Sequence, residues 1–131
     1  LSIAATFTNA EFDSDTGTDA EDRYSGGSPG NSIPYVPDFQ YNARLGVVLE
    51  DWSSYLNYHW QDQVYTNAAN DAEISDYGIL DWSGFYLIAE GVEIFAKITN
   101  LADKKYVVSD MPDGLRPGAP RTATFGMEFN F

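Results

Sequence analysis

The chain has 131 residues, and its 20 acidic side chains against 7 basic ones give a formal net charge of −13. This acidity argues against a nucleic-acid binder, which needs a basic face for the phosphate backbone. Because the chain has no cysteine and a single histidine, His59, it offers no disulfide framework and little for a zinc site or a catalytic relay. No apolar run approaches the roughly 20 residues of a membrane-spanning helix. This does not exclude membrane-spanning β-strands.

Apolar and polar side chains alternate with a period of two along most of the chain, as in strands that have two different faces. In the last stretch, every second residue from Ala123 to Phe131 is apolar. No segment shows a helical period. The pattern predicts an all-β chain of about six antiparallel, up-and-down strands, at residues 1–12, 39–50, 54–65, 79–88, 92–100 and 122–131.

Short and long connections alternate between the predicted strands. Glu50-Asp51 and Ala89-Glu90-Gly91 suit tight hairpin turns, whereas residues 13–36, 66–77 and 102–121 are long and polar. In an up-and-down sheet, this order places all the long loops at one rim and all the short turns at the other. Membrane β-barrels have that asymmetry, and their strands need about 9–11 residues to cross a bilayer.

Six strands are too few for a closed membrane barrel, since the smallest bacterial ones have about 8. An open sheet would leave two unpaired edges in lipid. The sequence therefore predicts part of a larger transmembrane β-barrel, or an assembly of copies. Leu1 lies inside an alternating stretch and Phe131 ends one, so we expect an artificial start and a natural end.

Two motifs in the C-terminal third resemble the end of TonB-dependent outer-membrane receptors. The first runs from Asn100 to Tyr106 and reads NLADKKY; the second runs from Arg116 to Arg121, reads RPGAPR, and leads into a final strand that ends on an aromatic residue. Segments 33–37 (IPYVP) and 62–70 (DQVYTNAAN) also match, and the likeness is greatest to ferric-citrate and related siderophore receptors. One departure is Ala102, where the family commonly has Phe.

The resemblance implies a barrel of about 22 strands with a plugged lumen, of which residues 1–131 would be the C-terminal portion. The earlier strands and the plug that contacts TonB would lie upstream. It further implies a bacterial outer-membrane location in contact with lipid, and uptake of an iron chelate caught by the outer loops. The barrel-assembly machinery would recognise the last strand, which ends at Phe131. The resemblance implies neither catalysis nor a cofactor.

Two arginines near the outer rim are candidate ligand contacts. Arg116 and Arg121 flank the last long loop, and guanidinium groups bind carboxylates of an anionic chelate bidentately. Arg121 is equally suited to bracing the loop or the plug. Arg44, Lys97 and His59 are predicted to face the lumen, as polar wall or plug contacts.

The acidic stretch 13–22 is the nearest approach to a metal motif, since Asp13, Asp15 and Asp19 offer oxygen ligands that suit calcium. EF-hand spacing fails, because Tyr24 stands where the final glutamate is needed. A solvated loop is the other interpretation. Carboxylate groups such as Asp110 and Asp113 are expected by chance in so acidic a chain, and they do not indicate an enzyme.

A soluble, self-contained β-barrel or sandwich that binds a small ligand or a glycan is the alternative. Its long polar loops and acidity would suit that class as well. The two hypotheses differ in solubility, because the apolar row of the last strand would drive association in water. That row contains Phe125, Met127, Phe129 and Phe131.

Overall fold

A computed structural model describes residues 1–17, 24–111 and 114–130. Six strands form one antiparallel sheet in the order β1-β2-β3-β6-β7-β10. They are β1 (Ser2–Phe7), β2 (Phe39–Val48), β3 (Trp52–Gln61), β6 (Tyr77–Ala89), β7 (Val92–Thr99) and β10 (Thr122–Phe129). Two small hairpins complete the strands: β4 (Val64–Tyr65) with β5 (Glu73–Ile74), and β8 (Val107–Ser109) with β9 (Arg116–Pro117). Within the described ranges, no helix is long and apolar enough to cross a membrane.

The connections confirm the predicted asymmetry of the two rims. Three long segments, which we call loop 1 (8–38), loop 2 (62–76) and loop 3 (100–121), leave the sheet at one rim. At the other rim, short turns follow Val48 and Ala89. The second turn contains Gly91 at a φ of 75°, a left-handed conformation that glycine adopts without steric cost. We call the two ends the loop rim and the turn rim.

Two predicted strands end well before the residue expected from the alternation. The third strand ends at Gln61 and not at residue 65, because the Asp62 carboxylate accepts a hydrogen bond from the Gln63 amide at 2.9 Å. Such a local side-chain bond offers the backbone an alternative to the ladder. The first strand ends at Phe7 and not at residue 12.

Loop 1 continues the geometry of the sheet for several residues beyond its edge. Its two arms face each other through backbone hydrogen bonds from Thr8 to Asp38 at 2.9 Å and from Phe12 to Asn31 at 2.9 Å. Glu11 and Ser32 form an isolated antiparallel bridge between them. The loop therefore stands up from the rim as an irregular hairpin.

Strand register divides the sheet into an apolar face and a polar face, because cross-strand partners project on the same side. Tyr58 is paired with Ala43 on β2 and with Leu80 on β6, and Ile98 with Trp82 and Ala123. The apolar face includes Ile3, Phe7, Tyr41, Leu45, Leu56, Trp60, Trp82, Tyr86, Ile94, Phe125, Met127 and Phe129. The polar face includes Asn42, Arg44, Asn57, His59, Gln61, Asp81, Ser83, Lys97 and Thr124.

Burial is concentrated in a loop and not in the sheet. Among the described residues, the buried hydrophobic side chains are Val64, Ala68 and Ile74, all in loop 2. On the apolar face of the sheet, Phe125 is 79% exposed and Phe7 is 80% exposed. The sheet therefore presents its apolar side chains outward, which a water-soluble domain rarely does over so large a patch.

Aromatic residues collect near both rims on the apolar face. At the loop rim, the rings of Phe7 and Phe39 stack at 4.5 Å, and those of Tyr41 and Trp60 at 5.7 Å. At the turn rim, Trp52 is paired with Tyr86 across β3 and β6. Trp52 and Trp60 are separated on β3 by a length on the order of 26 Å. This spacing suits two interfacial girdles on a tilted membrane strand.

Candidate functional site

Loops 1 and 2 are bonded together above the sheet. Asn70, at a φ of 57°, accepts a hydrogen bond from the Ser32 amide at 2.7 Å and donates one to the Ser32 carbonyl at 3.0 Å. Asn31 donates to the Ala68 carbonyl at 2.7 Å. Because Ala68 is fully buried, this contact fixes loop 1 against the small core of loop 2.

Loop 3 joins the same assembly through two contacts that involve tyrosines. The Tyr35 hydroxyl of loop 1 donates a hydrogen bond to the Asp110 carboxylate of loop 3. The Tyr106 ring of loop 3 lies 4.5 Å from the Tyr77 ring at the start of β6. All three loops are thus linked into one structure at the loop rim.

Asn100 connects the end of β7 to loop 3 and is the largest of the fully buried side chains in the described ranges, at 2% exposure. Its side-chain amide donates to the carbonyls of Lys104 and Ala119, both at 2.9 Å, and its side-chain oxygen accepts from the Lys104 amide at 2.8 Å. Its own backbone amide donates to the Asp81 carboxylate at 2.8 Å. Asn tolerates the φ of 50° found here better than most residues do.

This arrangement gives a physical reason for the NLADKKY motif. Asn100 closes a tight turn by binding both peptide groups of Lys104, and it ties the far end of the loop at Ala119 to the same point. The second motif has a matching constraint at Gly118, where a β-carbon would overlap the Tyr106 ring. The Gly118 amide donates to the Tyr106 carbonyl at 2.8 Å, so the chain passes directly beside that ring.

An ion pair sits at the surface of the same turn. Lys105 Nζ lies 3.2 Å from an Asp103 carboxylate oxygen. The hydrogen bond from Lys105, followed by one from the Arg121 backbone amide, holds the pKa of the Asp103 carboxyl below its ordinary value. Arg121 thus contacts this turn through its main chain.

The structure places the two candidate arginines on opposite ends of one short segment. Arg116 lies in β9 opposite Ser109, and Arg121 comes directly before β10. Both side chains are exposed at the loop rim. The sequence motif did not identify Lys104 and Lys105 as candidate contacts, although four of the seven basic residues fall in loop 3. Those four are Lys104, Lys105, Arg116 and Arg121.

The predicted lumen residues do lie on the polar face of the sheet. The Arg44 guanidinium carbon stands 4.1 Å from the centre of the Tyr55 ring, a cation–π arrangement. His59 Nδ1 and the Asn42 side-chain oxygen are 2.9 Å apart. Asp81, on the neighbouring strand, is the acceptor for Asn100, so this face is connected directly to the base of loop 3.

The described residues show no grouping of carboxylates that would support the calcium hypothesis. Asp13 and Asp15 are exposed, and Asp19 lies outside the described residues. In the part of the chain that the structure describes, no three His, Asp or Glu side chains are grouped so as to hold a metal ion. Phe131, the terminal aromatic residue, also lies outside the described residues.

The chain forms one antiparallel sheet that has an exposed apolar face, a polar face and long loops at one rim. These are the features of a segment of a membrane β-barrel. The family model described as "TonB dependent receptor-like, beta-barrel" matches residues 1–101. The chain belongs to this family. Members of the family are proteins of the bacterial outer membrane and not enzymes. In a barrel of this kind, the apolar face meets lipid and the polar face lines the lumen.

Solved structures agree with the family. The siderophore receptor PiuA from Acinetobacter baumannii is 24% identical with a TM-score of 0.72, over 77% of this chain and 15% of that one. BauA, the ferric preacinetobactin receptor from the same organism, is 26% identical with a TM-score of 0.68, over 81% and 17%. The ferric yersiniabactin uptake receptor FyuA from Yersinia pestis is 21% identical with a TM-score of 0.71, over 79% and 18%.

The chain therefore spans less than a fifth of the length of the receptors it matches. At these identities, the likeness to PiuA and FyuA shows a shared fold. The comparison with curated protein sequences gave no match.

Proposed function

We propose that this chain is the C-terminal portion of a receptor that takes up an iron chelate through the outer membrane, with energy from TonB. The main support is the six-stranded sheet, which has one apolar and one polar face and whose long loops are hydrogen-bonded to one another at one rim. The names of the three similar receptors support this choice of cargo, because each mentions a siderophore or a ferric compound.

The linked loops would form part of the mouth that captures the chelate. A chain with a net charge of −13 repels anions overall, so a local surplus of positive charge is informative. Loop 3 supplies it, and Arg116 and Arg121 are the candidate contacts for carboxylates of an anionic chelate. Loop 3 is held in place by Asn100, which would present those side chains in a fixed arrangement.

The polar face would meet the plug, which supplies the contact with TonB. Arg44, His59 and Asp81 project on this face and offer charged and hydrogen-bonding groups to it. The last strand, which ends at Phe131, would carry the signal that the barrel-assembly machinery recognises.

The test is iron uptake in cells that lack the complete gene. Cells with and without the gene receive radioactive iron as each of several chelates, and a strain without TonB is the energy control. We expect the deletion to abolish uptake of one chelate class, and loss of TonB to have the same effect. Unchanged uptake of all chelates tested would contradict the proposal.

The arginines are tested in the same cells. Arg116→Gln combined with Arg121→Gln should weaken uptake of an anionic chelate at limiting concentration, and Lys at both positions should restore part of it. Arg44→Gln removes one positive charge outside the loops and is compared with each single arginine variant. Equal uptake by the double variant and the native receptor would remove both arginines from the ligand site.

A further inference from the structure

A cleft of about 390 Å³ lies at the loop rim between loop 2 and loop 3. Its volume falls within the range of small-molecule sites, about 300–1,000 Å³. One wall comes from Glu73, Ser75 and Asp76, beside the β5 strand, and the other from Lys104, Lys105 and Tyr106. The cleft therefore separates a negatively charged wall from a positively charged one.

The charges of the two walls are not neutralised across the cleft. Among the described residues, the one ion pair in contact joins Lys105 to Asp103 within loop 3 itself. Glu73, Asp76 and Lys104 are exposed and enter no ion pair in those ranges. Opposite charges held apart on two walls favour a ligand that carries both signs.

Both walls are anchored, so the separation is a property of the fold. On the basic side, Asn100 binds the amide and the carbonyl of Lys104, and the Tyr106 ring packs against the Tyr77 ring in a tilted arrangement. On the acidic side, Ile74 is buried at 5% exposure next to Glu73 and is paired with Val64. Binding groups that are fixed in advance lose less entropy when a ligand arrives.

The rest of the cleft is apolar. Ile74 and Val107 contribute to its lining, and Leu115 stands at 73% exposure where loop 3 contributes to it. An exposed leucine beside a charged cleft offers a contact for an apolar part of the same ligand.

We propose that this cleft binds the zwitterionic end of a small molecule, an ammonium–carboxylate pair of the amino-acid type attached to a less polar body. The carboxylate lies against Lys104 and Lys105, the ammonium lies against Glu73 and Asp76, and the body contacts Leu115. A purely anionic end is repelled by the acidic wall and a purely cationic end by the basic wall. The inference rests on the proposed function in one respect: the body is taken to be an iron chelate.

The test uses the complete receptor, purified in detergent, and three probes that differ only at one end. Ferric desferrioxamine B is acylated on its terminal amine with an acetyl group (neutral), a succinyl group (anionic), or aspartic acid joined through its β-carboxyl (zwitterionic). Affinity is measured by quenching of the receptor's tryptophan fluorescence. We expect the zwitterionic probe to bind at least tenfold more tightly than the other two.

Two variants then locate the effect. Lys104→Gln and Asp76→Asn should each reduce the preference for the zwitterionic probe to less than threefold, because each removes one of the two charges on its own wall of the cleft. Neither substitution removes the hydrogen bonds between the Asn100 side chain and the backbone of Lys104. Glu50→Gln removes a carboxylate from the turn rim and should leave the preference unchanged.

Equal binding of the three probes, or binding of none, would overturn the inference, as would a preference that survives both variants. Failure of the proposed function is separate, because it is measured as iron uptake by cells. A receptor that imports iron but does not discriminate among the probes keeps its function and loses this site. A receptor that prefers the zwitterion but imports no iron keeps the site and loses the function.

Discussion

At the residue scale, Asn100 is the clearest case of one side chain that organises a loop. Its side chain makes three hydrogen bonds while almost fully buried. We expect Asn100→Ala to lower the free energy of unfolding of the receptor by about 2–3 kcal/mol, because the Lys104 and Ala119 groups are left without partners. Denaturant unfolding of the complete receptor in detergent measures this change.

Two further variants separate the causes. Asn100→Gly keeps the left-handed backbone accessible and removes only the side-chain bonds, so it should be nearly as destabilising as the alanine variant. Asn57→Ala, on the lumen face, is the comparison at a site without such a network. If Asn57→Ala costs as much as Asn100→Ala, the network is not the source of the effect.

The lowered pKa of the Asp103 carboxyl predicts how the stability of the receptor depends on pH. Its carboxyl has a lowered pKa in the folded chain, mainly through Lys105, so the folded state takes up a proton less readily than the unfolded state. The stabilisation is complete above the ordinary pKa of aspartate, about 3.9, and is lost as the pH falls through the lowered value. The difference in unfolding midpoint between the native receptor and Asp103→Asn should therefore be present at neutral pH and shrink in acid.

The carboxyl is exposed, so the difference is expected to be small and to fall with added salt. A difference that grows as the pH falls would show that the sign of the linkage is wrong. Lys105→Gln should show the same dependence, since it removes the principal partner.

At the element scale, aromatic rings cover glycines on neighbouring strands. Gly126 on β10 is paired with Phe95 on β7, and a β-carbon at Gly126 would lie 2.6 Å from the Phe95 ring. Gly46 has the same relation to Tyr55 across β2 and β3. The ring fills the space that a glycine leaves open on the lumen face of the strand.

We expect Gly126→Val to destabilise the receptor by about 1–3 kcal/mol, because the ring of Phe95 must shift to admit the new side chain. Ala123→Val, on the same strand but on the lipid face, is the matched control and should have little effect. The unfolding free energy in detergent measures both. Equal effects of the two variants would show that the ring does not fix the site.

The strands were predictable from alternation, and their ends were not. The six predicted segments and the alternating connection lengths are confirmed, and so is the shared polar face of Arg44 and Lys97. Side-chain period and face are local properties of the sequence. Val64 continues the alternation by coincidence, whereas the strand stops at Gln61 through the Asp62 side chain. The hairpins β4–β5 and β8–β9 depend on packing between loops, which no local pattern specifies.

The candidate site was predictable only in part for the same reason. The position of Arg116 and Arg121 at the loop rim follows from the strand order. The cleft between loop 2 and loop 3 does not, because it needs Asn100 to bind Lys104 and the Tyr106 ring to pack against Tyr77. Those contacts join residues whose partners cannot be read from spacing.

At the scale of the whole molecule, the sheet exposes one apolar face and has β1 and β10 as its outer strands. We expect the 131-residue chain produced alone in water to associate, because apolar surface and open strand edges both favour pairing with copies. Size-exclusion chromatography with light scattering, with and without detergent, measures this. A single monomeric species without detergent would contradict the expectation, and Phe125→Ser should reduce association if the apolar row is its cause.

The bonds among the three loops have a consequence for anyone who would build hybrid receptors. Each loop supplies one partner of a hydrogen bond whose other partner lies in a different loop. The pairs are Asn70 with Ser32, Asn31 with the Ala68 carbonyl, and Tyr35 with Asp110. A chimera that receives one loop alone would bury polar groups without partners. The three loops should therefore be transplanted together, and natural exchange between related genes should leave them together as a single cassette.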